Sequence, residues 1–246
     1  CQNWQISQSR PEHVSWRWLP PHDVVRYARS YSACISYTYT EPTIYLEYAL
    51  DTAVLAKGRG LFNNMITNGY TSTEVIESDL KGKIDAANID LKAFTDRFYK
   101  KLCSARLTPV LDAIRAYHAA GIWIEITTLI IPGENDSDSE MRDIASFIKS
   151  VDLDIPWHIS RYYPRYRYDS APPTPVKTLE RAREIGLSEG LKFVYTGNVM
   201  GHVGENTSCP NCGKEVISRA GFRVNKTAMK GSACGYCHTT IPGRFP

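Results

Sequence analysis

No apolar run in this chain is long enough to cross a bilayer, and no basic stretch followed by an apolar core marks a secretory signal near its start. Neither sign of charge dominates. The 29 Lys and Arg stand against 26 Asp and Glu, a net charge of +3, too small and too evenly spread to argue for a nucleic-acid partner. A disulfide framework is also absent: four of the seven cysteines fall in two CxxC pairs near the C-terminus, the pattern of metal ligands in a reducing compartment. That usage points to the cytoplasm. What is present suffices to fold, since 246 residues with 43% hydrophobic content can bury a core as one large domain or one domain plus a small module.

Between residues 30 and 200, short β-type runs alternate with segments of helical period. The runs are ACISYTY (33–39), FNNMIT (62–67), AANIDLK (86–92), IWIEITTLII (122–131), WHISRYY (157–163) and LKFVYTG (191–197). In TIYLEYALDTAVLAKG, the residues Ile44, Leu46, Ala49, Leu50, Ala53 and Val54 share one helix face, and Gly58 stands where the helix stops. Val176, Leu179, Ala182 and Ile185 make a second stripe, and Ser137 with Glu140 reads as a capping box opening DSEMRDIASFIKS. Strands separated by helices imply βαβ crossovers and a parallel sheet, open or rolled toward a barrel.

In such a fold chemistry gathers where strands end and loops begin. The runs end in YTYTEPT, TNGY, IDLKAF, IPGEND and SRYYPRYRY, and polar or turn-forming residues at consecutive ends argue for one shared site. Any single loop also needs such residues for turns and caps. Glu41 and Lys92 stand out because each follows directly on an apolar strand. Cys34 and Cys103 lie in strand and helix contexts that suggest buried, inert thiols. The Tyr162–Tyr168 run interleaves basic and aromatic residues over the same edge, as a lid would.

The pair Cys209-Pro-Asn-Cys212 is followed, after 21 residues, by Cys234-Gly-Tyr-Cys237. Two such knuckles can bring four thiolates around a tetrahedral metal, with Gly213 and Gly235 allowing the tight turns beneath it. Zinc and a rubredoxin-type iron share this ligand set, so spacing does not separate them. Four sulfurs complete the shell, which leaves His238 a bystander. A region as small as 206–246 would owe most of its stability to the metal.

CQNWQISQ, YTYTEPT, TNGY, NIDLKAF, TTLIIPGENDS, WHISRYYPRY, PPTPVKTLERAREIG, TGNVMGHVGENTSCPNCGK and CGYC, in this order, closely resemble the radical SAM enzymes of the AmmeMemoRadiSam system, relatives of pyruvate formate-lyase activating enzyme. The resemblance implies an α/β fold: a partial (β/α)6 radical SAM barrel over 1–205, its first strand missing, and a metal ribbon over 206–246. It also implies that Cys1 matches the last cysteine of C-x3-C-x2-C, the motif holding a [4Fe-4S] cluster, so that a short strand and C-x3-C-x2 are expected directly upstream. In this family the open iron of the cluster chelates S-adenosylmethionine, and an electron from a donor such as flavodoxin or ferredoxin yields a 5′-deoxyadenosyl radical that abstracts hydrogen from a substrate. By the same resemblance Tyr39, Thr40, Glu41 and Pro42 stand where most of the superfamily has Gly-Gly-Glu-Pro, meeting the methionyl amine. Asn68, Asp90 and Lys92 match positions contacting the ribose and carboxylate; a structural ion pair is the alternative for Asp90 and Lys92. The substrate is not named by the sequence and can be a protein. Two other readings stay open: an activase for a glycyl radical enzyme, and, for a chain that truly starts at Cys1, a non-catalytic scaffold bearing the ribbon.

Overall fold

The structure, a computed structural model, describes residues 3–221 and 223–243; Cys1 lies outside the described residues. A short helix α1 (Trp4–Ser7) is followed by α2 (Pro21–Tyr31) and then by six strands: β1 (Cys34–Tyr37), β2 (Phe62–Thr67), β3 (Ala86–Asp90), β4 (Trp123–Ile130), β5 (Trp157–Arg161) and β6 (Val194–Gly197). They follow one another in sequence order in a single sheet. The pairs β1–β2, β2–β3, β4–β5 and β5–β6 run parallel, with Ser36 opposite Asn64 and Thr127, His158 and Tyr195 in one row. The α/β reading with a parallel sheet therefore holds, and the strands match the six sequence runs to within a few residues at their ends. No helix among the described residues is long and apolar enough to cross a membrane.

By internal contacts the chain forms two compact units. One comprises the chain up to Asp90 with Thr108–Ile124 and Arg165–Asp169, and the other comprises Leu91–Leu107, Glu125–Pro164 and everything from Ser170 onward. In the first, α3 (Leu46–Lys57) packs on β2. Its buried face is Ala49, Thr52, Ala53 and Ala56, whereas Ile44 and Val54, which the periodicity placed on the core face, are exposed. The helix starts at Leu46, two residues after the first apolar position of the pattern, because Pro42–Tyr45 forms a 3-10 turn first. Small residues let the helix approach the strand closely. Beneath it, the buried amide of Asn63 donates to the carbonyls of Ala53 and Lys83 at 3.0 Å each and accepts from the Tyr37 hydroxyl.

Two crossovers use very short helices, α4 (Thr73–Val75) and α5 (Asp96–Phe98), which widen into single π-type turns at Ile76–Leu80 and Tyr99–Cys103. Ser72 and Thr95 cap them by accepting from the N–H groups of Val75 and Phe98. The next helices are α6 (Leu107–Ala119), α7 (Asp138–Val151) and α8 (Val176–Ser188). Helix α8 buries Leu179, Ala182 and Ile185, the expected stripe, and adds Gly186.

Alternation along the strands of the second unit is strict. Strand β4 buries Ile124, Ile126, Thr128 and Ile130 and leaves Trp123, Glu125, Thr127 and Leu129 half-buried; β5 buries Trp157 and Ile159, and β6 buries Val194 and Thr196. A parallel sheet covered on both sides would be apolar on both faces. Here the other face carries Glu125, His158 and Tyr195. Trp157, fully buried, donates from Nε1 to the Thr128 hydroxyl, which itself donates to the Leu91 carbonyl at 2.8 Å.

Gly186 is a tight point of this core. A Cβ there would stand 2.9 Å from Trp157 Cε3 and 3.1 Å from Val194 Cγ2. Alanine would gain about 0.8–1.0 kcal/mol of helix propensity, but overpacking against a rigid buried ring costs about 1–3 kcal/mol. Gly186→Ala is therefore expected to lower the melting temperature, as followed by circular dichroism; an unchanged or raised value would show that α8 can slide on the sheet.

Candidate functional site

The Glu41 carboxylate ties the loop after β1 to the end of β2 within the first unit. Its Oε1 accepts from the Thr43 N–H (3.2 Å), the Thr43 hydroxyl (2.9 Å) and the Thr67 hydroxyl (2.8 Å), and its Oε2 accepts from the Asn68 N–H at 2.7 Å. Pro42 is buried behind it, Tyr39 and Thr40 are exposed, and the Tyr39–Thr40 peptide is cis. Three of the four donors share Oε1 and one meets Oε2, so the room for a further donor is on Oε2. Asn68 uses its side-chain oxygen to accept from the Tyr70 N–H at 2.8 Å, closing a turn over Gly69. Gly69 sits at φ +73°, and a Cβ on it would meet Ile89 Cγ2 at 2.8 Å. TNGY is thus a turn that only glycine fits.

Asp90 ends β3 in the first unit and Lys92 follows in the second, both half-buried. The backbone of Lys92 is clamped on both sides: its N–H donates to the Tyr99 hydroxyl at 3.1 Å, and its carbonyl accepts from the Asn135 amide at 2.7 Å. Asn135, fully buried in the loop after β4, also donates to the Leu129 carbonyl and accepts from the Ile131 N–H. Two positions further on, the Phe94 N–H donates to Glu140 at 2.7 Å. Ser137 caps α7 as expected, but Glu140 does not reach back to complete the box; it braces the loop after β3 instead. Burial pushes its carboxyl up, Asp143 and Asp136 add to the rise, and the Phe94 N–H opposes it.

On the polar face of β4–β6, His158 Nε2 lies 2.6 Å from Glu125 Oε2, and its ring stacks on Tyr195 with centroids 5.2 Å apart. The Tyr195 hydroxyl meets the Thr207 hydroxyl at 2.9 Å, and the Arg219 guanidinium lies over the Tyr195 ring while donating to Thr207 at 2.7 Å. At the C-terminal end of β5, Arg161 donates to the Thr174 carbonyl and the Tyr163 hydroxyl. Of the run Tyr162–Tyr168, Tyr162 is buried and Tyr166 stacks on Trp4. Cys34 and Cys103 are half-buried rather than buried, and burial raises the Cys34 thiol.

Beyond β6 the chain forms β7 (Thr207–Ser208), β8 (Glu215–Ala220) and β9 (Arg223–Thr227) in one antiparallel sheet, and β10 (Met229–Lys230) with β11 (Ala233–Cys234) in another. The sulfurs of Cys209, Cys212, Cys234 and Cys237 all lie within 4.8 Å of one another, with Cys209–Cys237 at 3.6 Å and Cys212–Cys234 at 3.8 Å. Thiolates about 2.3 Å from a central ion form a tetrahedron whose edge is about 3.8 Å, so the four thiols fit one metal ion. The knuckles are equivalent in their backbones. Cys209 donates its N–H to Lys214 and accepts from Gly213; Cys234 does the same with Thr239 and His238.

The glycine roles differ from those read in the sequence. Gly213 is left-handed (φ 70°), but its counterpart in the second knuckle is His238 (φ 62°), one of the non-glycine types that tolerate this region. Gly235 serves close approach instead: its N–H donates to the Ala228 carbonyl oxygen at 2.7 Å, and a Cβ would run into that same atom. Hydrogen bonding with Thr239, first through its hydroxyl and then its N–H, and with the Asn211 amide pulls the Cys237 thiol down to about 5. Cys209 and Cys234 are buried with Phe193, Val216 and Ile241, and Tyr195 packs against this cluster.

Residues 1–148 match the Radical SAM superfamily. The chain belongs to this superfamily. The matched segment ends within α7, so β5, β6 and the four cysteines lie beyond it. An uncharacterized protein of Methanocaldococcus jannaschii is 47% identical over 245 residues, 98% of this chain and 72% of that one. A domain of pyruvate-formate lyase-activating enzyme from Bacteroides vulgatus shares the fold with a TM-score of 0.58 at 17% identity, over 67% of this chain and 98% of that one. A radical SAM methyltransferase from Sphaerobacter thermophilus does so with a TM-score of 0.59 at 15% identity, over 79% and 63%. At these identities the two structures speak for the fold of this radical SAM chain alone.

Two outcomes are expected. The folded chain holds the Glu140 proton more tightly than the unfolded chain, so this residue contributes most to stability at acid pH and less as pH rises through its raised folded value. Glu140→Gln cannot ionise yet still accepts from Phe94; it should remove that part of the pH dependence in denaturant titrations and hold or raise stability at pH 7. Gly235→Ala should lower the metal content per chain measured by elemental analysis, whereas His238→Gly should leave it intact. Equal metal loss in both would mean that the knuckles tolerate no change at all.

Proposed function

We propose that this protein is a radical SAM enzyme of the AmmeMemoRadiSam-system branch, acting on a substrate yet to be identified. The observation that carries the reading is the superfamily match joined to the bracketed strand ends. When bound, a [4Fe-4S] cluster would supply the reductive cleavage of S-adenosylmethionine to a hydrogen-abstracting 5′-deoxyadenosyl radical. By the family resemblance Cys1 is the last of its three cysteine ligands; it lies outside the described residues, and no step of this chain is routed through the cluster. The ribbon thiols form a compact tetrahedron for one ion, which we assign as zinc, with iron as the alternative, in a module at 206–246 joined to a partial (β/α)6 barrel at 1–205.

The chain's own residues would bind and orient S-adenosylmethionine. Glu41 is held rigid by four donors, and the remaining acceptor position on Oε2 suits the methionyl ammonium. Tyr39, Thr40 and Pro42 frame that position, and Asn68 and Asp90 face the ribose. Lys92, its backbone fixed by Tyr99 and Asn135, pairs with the methionyl carboxylate, a charge-assisted contact that offsets the desolvation of both groups. The electron donor would be a flavodoxin or ferredoxin, and the compartment the cytoplasm. A second reading, activation of a glycyl radical enzyme, draws support from the similarity to a domain of pyruvate-formate lyase-activating enzyme and would make the substrate a protein.

Lys92→Met tests the cofactor assignment. In cluster-loaded protein it should weaken S-adenosylmethionine binding while leaving the melting temperature nearly unchanged, because the methionine stem fills the same volume. If Lys92 is half of a buried ion pair instead, removing it strands a carboxylate and should cost about 3–5 kcal/mol of stability with cofactor binding preserved in the folded fraction.

A further inference from the structure

Arg161 is held by neutral acceptors and an aromatic face, as Arg219 is near the four cysteines, but it stands at a different place in the fold. It closes β5 at the C-terminal edge of the sheet, where ligands of parallel α/β sheets bind. Its Nε donates to the Thr174 carbonyl at 2.8 Å, its Nη1 donates to the Tyr163 hydroxyl at 2.9 Å, and its guanidinium lies 4.8 Å over the Tyr163 ring. Both acceptors are themselves fixed. Thr174 is fully buried; its hydroxyl donates to the Ile130 carbonyl at 2.6 Å and accepts from the Tyr162 N–H at 3.1 Å. The Tyr163 hydroxyl leans on the Asn198 carbonyl, and the Asn198 amide donates to the Ser160 hydroxyl and the Arg161 carbonyl at 3.0 Å each.

Every one of these partners is neutral. Arg106 and Arg181 of the same unit each pair with an aspartate, whereas no described carboxylate lies within ion-pair distance of Arg161 or Arg219, and of these two only Arg161 stands at a C-terminal strand end of the parallel sheet. Position and plane of the guanidinium are set in advance by neutral acceptors and an aromatic face, while Nη2 and the full positive charge stay available. An immobilised arginine whose charge no described carboxylate compensates, placed at the edge of the sheet where ligands bind, is suited to a planar or tetrahedral anion, which it can grip through a fixed fork of donors.

We propose that Arg161 is an anion-recognition residue and that the anion is a carboxylate or phosphate group carried by the substrate. The identity of the anion's owner rests on the radical SAM reading; the anion site does not. The same chemistry would fit the methionyl carboxylate of S-adenosylmethionine, so the test separates the two sources.

Phosphate and acetate are titrated at constant ionic strength into the 15N-labelled 246-residue protein, following the Arg161 Nε–H and Asn198 amide signals by NMR. A saturable shift with either anion is expected, lost in Arg161→Gln. Tyr163→Phe keeps the stacked ring but frees Nη1, and should weaken the anion by about tenfold, the scale of one charge-assisted hydrogen bond. Equilibrium dialysis of S-adenosylhomocysteine should give the same affinity in Arg161→Gln as in the unsubstituted protein. No saturable shift, or one that survives in Arg161→Gln at the Asn198 amide, overturns the site. Loss of S-adenosylhomocysteine binding in folded Arg161→Gln overturns the substrate assignment by giving the residue to the cofactor. Should Arg161→Gln fail to fold, Arg161→Lys and Tyr163→Phe decide, since unchanged anion affinity in both sinks the proposal. Absence of S-adenosylhomocysteine binding to the unsubstituted protein, with the anion shift intact, would count against the radical SAM reading and leave the anion site standing.

Discussion

A parallel sheet leaves the backbone groups at its strand ends without ladder partners, and a buried N–H or C=O with no partner costs as much as a lost hydrogen bond. The loops of this protein are arranged around that constraint. Glu41 takes the Asn68 N–H, Asn135 takes the Lys92 and Leu129 carbonyls, Glu140 takes the Phe94 N–H, and the Thr174 hydroxyl takes the Ile130 carbonyl and the Tyr162 N–H. Each bracket holds a loop in one conformation. Side chains on those loops are consequently presented with their backbones already fixed, which is what a site needs if binding is not to spend itself on ordering.

The same constraint explains which parts of the molecule could be read from the sequence. All six strands announce themselves as β-type runs, five of them through apolar residues at the buried alternate positions, whereas β2 buries Asn63, Met65 and Thr67 and exposes Phe62 and Ile66; the quoted turn residues follow at several of their ends. Helix α8 shows its stripe in the same way. Helix α3 shows it only in part: Ala49 and Ala53 are buried as expected, but Leu46 and Leu50 are half-buried, Ile44 lies in the 3-10 turn at Pro42–Tyr45, and Thr52 and Ala56 complete the buried face. Bracket residues are harder still: Thr128, Asn135 and Thr174 are fully buried, yet threonine and asparagine in loops and strands look identical whether they face water or a carbonyl. Lys92 and Glu41 were legible as polar residues following apolar runs. Arg161 was legible only as a basic residue at the end of the WHISR strand, just before the basic and aromatic run, because what marks it is a guanidinium fixed by neutral acceptors at the sheet edge, a three-dimensional property.

The four cysteines show the opposite case. Their ligand set follows from spacing, and the sulfurs do converge on one tetrahedron. The turn geometry beneath them does not follow, for the left-handed position of the second knuckle falls to His238 and the glycine there answers a steric demand from Ala228. Spacing specifies which atoms meet; the path of the chain between them depends on neighbours far along the sequence.

Phe193 and Tyr195, which belong to β6 and the turn leading into it, share the apolar cluster that surrounds Cys209 and Cys234. A metal held by those thiols therefore does more than close a small loop. Ligand that binds only the folded form adds RT ln(1 + [L]/Kd) to stability, about 4 kcal/mol at a thousandfold excess over Kd. Because the cluster reaches into the sheet, that linkage extends to β6 and, through Tyr195, to the His158 ring stacked upon it. The supply of free metal in the surroundings then becomes a thermodynamic variable of the sheet itself, and apo and loaded chains are different folding problems.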